Sequence, residues 1–132
     1  MNKKVCIYCR VAQDDQVKLN SQIESLKIFS KQKNLEVVKV ISEFGSGLNF
    51  ERKGLDELTE LSKSKQVDMI LVRDVTRIGR DYIKMFEFID KIKKHIEFKT
   101  LDAFDISNDE WQGMSSVLKE FFSHMKKEQI AS

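Results

Sequence analysis

At 132 residues, 41% of them apolar and 33% charged, the chain is sized for one domain with a real core, and no apolar run approaches the roughly 20 residues that cross a bilayer. Its formal net charge of +2 falls short of the strongly basic balance of a self-sufficient DNA-binding domain. The opening Met1-Asn2-Lys3-Lys4 leads into a segment too short, and too interrupted by tyrosine and arginine, for a signal peptide, so a cytoplasmic location is expected.

Val5 to Val11 predicts a first strand. Read with period two, Tyr8, Arg10 and position 12 fall on one face of this strand and its exit, and Ile7, Cys9 and Val11 on the other. Leu19, Ile23, Leu26 and Phe29 then recur at helical spacing, and Leu35 to Ile41 predicts a second strand. The stretch Glu43-Phe44-Gly45-Ser46-Gly47-Leu48-Asn49 reads as a flexible loop. It matches neither the P-loop nor the dinucleotide fingerprint, so as a phosphate cradle it is weak.

Leu55, Leu58 and Leu61 mark a second helix, and Val67 to Arg73 a third strand whose continuous apolar run suits a central position covered on both faces. Arg77-Ile78-Gly79-Arg80 is expected at the start of a third helix carrying Ile83, Phe86, Ile89 and Ile92, with Arg77 and Arg80 sharing one face of its first turn. Phe98 to Ala103 predicts a shorter fourth strand. After the cap Ser107-Asn108-Asp109, residues Trp111, Met114, Leu118, Phe121, Phe122 and Met125 form a wide apolar stripe with no further strand to cover. Such a helix either lies back on its own domain or faces another subunit.

Strands separated by helices predict an α/β domain in three layers: a central, mostly parallel sheet of four to five strands with helices on both faces. The expected division is a body over residues 1–108 and the start of a long C-terminal helix over 109–132. Cys6 and Cys9 form a C-x-x-C string, but a strand sends them to opposite faces and no second Cys/His pair follows. Buried thiols are expected, with no metal site and no cofactor.

The chemistry lies in the arginines. A guanidinium carries a permanent charge, and its fork matches phosphate oxygens two at a time. Arg10 and Arg77 follow the ends of apolar runs, and Arg52 and Arg80 complete a set of four. Tyr8-x-Arg10-Val11 with Gln16, then Ser46-Gly47 and Arg52-x-Gly54-Leu55, then Arg77-x-Gly79-Arg80-Asp81 resemble the catalytic domain of the serine recombinases: the resolvases, invertases and larger serine integrases. The resemblance covers nearly the whole chain.

It implies the resolvase-type fold and DNA strand breakage, exchange and rejoining through serine-phosphodiester intermediates, without ATP or metal. It also implies double-stranded DNA as partner, with homodimers meeting as a tetramer in the synaptic complex, and no membrane. Carried over by position, Arg10, Arg77 and Arg80 hold and activate the scissile phosphate, with Arg52 beside them or on the developing charge. Tyr8, Gln16, Gln22, Glu43, Ser46 and Asp81 support the site, and the stripe from Trp111 to Met125 forms the dimer interface.

The spacing from Gln16 to Gln22 differs by a residue from small resolvases. Glu43 stands where many members have aspartate, and Thr76 where some have aspartate and others serine. The family's nucleophilic serine falls at position 12, which is Ala12. A methyl group cannot attack phosphorus, and nothing in the sequence gives Ser21 or Ser46 the in-line geometry, so this chain is expected to be inactive in cleavage. Ala12 is either a serine removed from a catalytic-type domain or the residue of a cleavage-dead module that pairs with active subunits. A nucleotide or phosphate-ester enzyme on a flavodoxin-like sheet is the remaining rival.

Overall fold

The computed structural model describes residues 2–49, 52–79 and 81–101. Four parallel strands form one sheet in the order β2-β1-β3-β4: β1 (Lys4–Val11), β2 (Glu36–Phe44), β3 (Met69–Val72) and β4 (Glu97–Thr100). The helices between them are α1 (Gln16–Gln32), α2 (Lys53–Ser64) and α3 (Tyr82–Lys93), with a 3-10 turn at Val75–Arg77. The predicted α/β architecture with a parallel sheet and helices on both faces is present. The expected C-terminal helix, with its stripe Trp111, Met114, Leu118, Phe121, Phe122 and Met125, and the expected boundary at residue 108 lie outside the described residues.

The chain leaves β1 toward β2 in one direction and crosses back over β1 to reach β3 and β4. Because parallel crossovers are right-handed, this reversal sends α1 to one face and α2 and α3 to the other. Two apolar layers result. Val5, Ile7, Cys9 and Val11 of β1 pack with Leu19 and Leu26 of α1 and with Met69 and Leu71. Cys6 and Tyr8 pack with Leu55 and Leu58 of α2, Phe86 and Ile89 of α3, and Ile70 and Val72. With both faces covered, β1 is buried from Val5 to Val11 and β3 throughout.

Several boundaries differ from the sequence reading. β2 runs on to Phe44, so Glu43 and Phe44, expected in the loop, belong to a strand. Their pairing with Arg10 and Val11 explains this, since β1 offers its ladder to the last residue. Between Val5 and Cys6 the register slips, and Val38 is the extra residue in β2. That bulge lets Val37 and Val40, three apart, both pack on the α1 layer.

β3 begins at Met69, not Val67: its register with β1 and β4 starts there, opposite Val5 and Glu97. The largest correction concerns Arg77. It closes the 3-10 turn, and α3 begins five residues later behind the cap of Asp81, whose carboxylate accepts the Lys84 N–H at 3.2 Å. Arg77 therefore does not lie in the first turn of α3, and Arg80 is outside the described residues.

Candidate active site

In an open α/β sheet the loops leaving two neighbouring strands diverge where the strand order reverses, and a crevice opens at their carboxyl ends. Here that point lies between β1 and β3. A cavity of about 480 Å3 occupies it. Val11, Ala12 and Gln13 line it from the exit of β1, Asp15, Lys18, Ser21 and Gln22 from the start of α1, and Arg73 and Arg77 from beyond β3. Position 12 is exposed at this opening.

The exit of β1 is held in place by polar contacts on its main chain. Gln22 is buried, and its amide clasps Arg10: Oε1 accepts the Arg10 N–H at 3.2 Å, and Nε2 donates to the Arg10 carbonyl at 3.4 Å. Arg77 Nη1 donates to the same carbonyl at 3.2 Å. Its Nε lies 3.5 Å from Asp74 Oδ2. Asp74 also accepts the Thr76 N–H at 3.0 Å and the Thr76 hydroxyl, which folds the turn that presents Arg77. Arg77 thus fixes the backbone two residues before position 12 while lining the same cavity.

Arg10 is placed differently. Its side chain is 1% exposed. Nε donates to the Arg77 carbonyl at 2.9 Å, Nη1 to Gly45 at 2.8 Å and Nη2 to Thr76 at 2.7 Å. The guanidinium thereby ties the loops after β2 and β3 to β1, on the side of the sheet away from the cavity. Arg52 is also buried and donates through Nη2 to the Ile78 carbonyl.

Beneath them the buried Tyr8 hydroxyl donates to Glu43 Oε2 at 2.5 Å, and Glu43 Oε1 accepts the Gly54 N–H at 3.1 Å. Burial, and then the bond to Glu43, push the Tyr8 phenol above its ordinary range. Burial likewise pushes the Cys6 and Cys9 thiols up to about 12, although Lys39 pulls the first down and Arg77 the second.

Of the residues expected at the site, Ala12, Gln22 and Arg77 share the cavity. Tyr8, Arg10, Glu43 and Arg52 form the buried network on the other face. Gln16 opens α1 and bonds Asn20 at 2.9 Å, Ser46 accepts the Leu48 N–H at 3.1 Å, and Asp81 caps α3. Arg80 is outside the described residues. Sequence reasoning missed Lys18 and Arg73. The signals were there: Lys18, Ser21 and Gln22 stand at i, i+3 and i+4 on one helix face, and Arg73 directly follows the apolar run of β3. Ser21 reaches the cavity of position 12, whereas Ser46 does not line it.

Residues 5–132 match the model of the resolvase N-terminal domain. The chain belongs to the resolvase N-terminal domain family. It is 32% identical over 100 residues to the protein named Putative resolvase L103 of Acanthamoeba polyphaga mimivirus, a match that covers 75% of this chain and 50% of the relative. The chain therefore spans about half the length of that curated relative.

Among solved structures, the N-terminal catalytic domain of TP901-1 integrase superposes with a TM-score of 0.76 at 25% identity, over 93% of this chain and 98% of that one. A resolvase family site-specific recombinase from Streptococcus pneumoniae, 22% identical, shares the fold with a TM-score of 0.74 over 98% of this chain and 91% of its own. Among the described residues no group of three or more histidine, cysteine or acidic side chains could hold a metal ion, and no helix is long and apolar enough to cross a membrane.

Proposed function

We propose that this resolvase-family domain is the catalytic-type domain of a site-specific DNA recombinase whose nucleophile position is empty of chemistry. The observation that carries the reading is the opening of position 12 into the same switch-point cavity as the anchored guanidinium of Arg77. A serine there would have its hydroxyl beside a cation able to hold a DNA phosphate. Its hydroxyl would give up its proton as the oxygen bonds to phosphorus, the bond from phosphorus to the leaving deoxyribose oxygen would break, and that oxygen would take up a proton in turn. With Ala12, position 12 offers no oxygen for the first step, so the chain binds the phosphate and goes no further.

Double-stranded DNA is the partner in this reading, and homodimers that pair as tetramers are the working assembly, with the stripe from Trp111 to Met125 as the subunit contact. Arg80 joins Arg77 at the phosphate. Arg10 and Arg52 act by holding the loops that carry the site. The test is Ala12→Ser in the full-length protein carrying its DNA site: strand cleavage with a covalent protein–DNA link is expected, and the Ala12 protein should give none.

A second reading is favoured by Ala12 itself: a domain that keeps the bonded frame of Gln22, Arg10 and Arg77 but lacks the hydroxyl suits a non-cutting subunit that pairs with active recombinases. Continued silence of Ala12→Ser, together with co-assembly with an active recombinase, supports that module.

A further inference from the structure

The cavity at position 12 holds more positive charge than Arg77 supplies. Lys18 faces it from the first turn of α1, and Arg73 faces it from the end of β3. Both are exposed, and neither has an ion-pair partner among the described residues. The one acid in the lining, Asp15, accepts the Lys18 N–H at 3.0 Å as the cap of α1. Three cations thus face one carboxylate that is already engaged.

The cations also differ in how they are held. Arg77 is fixed by the Arg10 carbonyl and Asp74, as suits a group that must place one phosphate accurately. Lys18 and Arg73 lack such anchors and line the same cavity from two separate elements. A cavity of about 480 Å3 is larger than one phosphate needs.

We infer that Lys18 and Arg73 form a second phosphate subsite, on the α1 side of position 12, which takes the phosphate next along the same strand from the one held at Arg77. This rests on the recombinase reading and adds to it a pair of residues that positions the strand on either side of the reacting bond. Gripping two successive phosphates fixes the strand's direction through the cavity, which a single guanidinium cannot do.

The test is titration of the isotopically labelled chain with a short DNA duplex, and separately with inorganic phosphate, followed through backbone amide shifts at several salt concentrations. The expected result is movement of the amides of residues 12–13 and 73–77, with a duplex affinity that the double variant K18Q/R73Q lowers about tenfold. The slope of log affinity against log salt should flatten by about two, near one for each cation removed from the phosphates. Amides away from the cavity should keep their positions in the variant, which shows that the fold is intact.

If R77Q weakens duplex binding while K18Q/R73Q leaves affinity and slope unchanged, the second subsite is overturned and the recombinase reading stands. If K18Q/R73Q weakens inorganic phosphate as much as duplex with no change of slope, the pair serves a free phosphate and not a strand. If the duplex moves no cavity amide at millimolar protein and low salt, both the subsite and the recombinase reading fail.

Discussion

Gly54→Ala tests the buried network that holds the loops of the site. Gly54 is the second residue of α2, where alanine would ordinarily gain up to about 1 kcal/mol in helix propensity. Here a Cβ would overlap Glu43 Oε2 and come within 2.7 Å of Glu43 Cδ and 2.9 Å of Tyr8 Cε2. The Glu43 carboxylate cannot simply swing away, because it accepts both the Tyr8 hydroxyl and the Gly54 N–H, and the Tyr8 ring is fully buried.

Relieving the overlap means losing bonds to a charged group, worth about 1.5–3 kcal/mol each, or shifting packed core at about 1–3 kcal/mol. Net of propensity, the variant should lose about 2–4 kcal/mol, a fall in Tm on the order of 10 °C for a domain of this size. Urea unfolding of Gly54→Ala in the parent and in a Glu43→Ala background measures the coupling. The loss should shrink by at least half in the second background. Parent-like stability, or an equal loss in both backgrounds, would refute the packing account.

Arg10→Ala should cost about 3–5 kcal/mol, because three carbonyls lose a buried cationic donor, whereas Arg77→Ala, at a partly exposed side chain, should cost about 1–2 kcal/mol. Equal urea midpoints for the two variants would contradict the division of roles. Asp15→Ala should lower stability by about 1 kcal/mol through loss of the α1 cap. The same variant should bind phosphate several-fold more tightly, since it removes the cavity's one acid; an unchanged or weaker affinity counts against that electrostatic picture.

Stability should fall with rising pH. The Cys6 and Cys9 thiols have folded values raised from 9.0 to about 12. Their contribution is complete below about pH 9 and is lost as pH rises from there toward 12, at about 1.4 kcal/mol per pH unit for each thiol. The raised Tyr8 phenol adds to this above its ordinary value of 10.0. A urea midpoint flat from pH 8 to pH 11 would show that these groups are not buried as described.

The layered architecture was legible because apolar periodicity changes sharply between strand and helix, and because the continuous apolar run of β3 suits a central parallel strand covered on both faces. Register was not legible. Val38 bulges out of β2, and no local property of Val37-Val38-Lys39 distinguishes it from its neighbours. The family resemblance singled out four arginines but did not separate Arg77, which lines the cavity, from Arg10 and Arg52, which bond to loop carbonyls on the other face.

Arg10 and position 12 share a strand face by parity, yet Ala12 lies past the last residue of β1, where the alternation no longer holds. The chain turns there toward α1, so Ala12 opens on the opposite side of the sheet from Arg10. Arg77 was expected in a helix because Arg77-Ile78-Gly79-Arg80 precedes one. Its capture by Asp74 in a 3-10 turn depends on a contact that helical periodicity does not encode.

The most direct measurement is the mass and peptide map of the full-length Ala12→Ser protein after incubation with its DNA site, alongside the same protein carrying Arg77→Gln. A mass gain equal to the phosphate-bearing fragment of the cleaved strand is expected on the peptide containing residue 12, and none when Arg77 is replaced. An adduct on any other peptide, or one that persists without Arg77, would contradict the placement of a DNA phosphate between position 12 and that guanidinium.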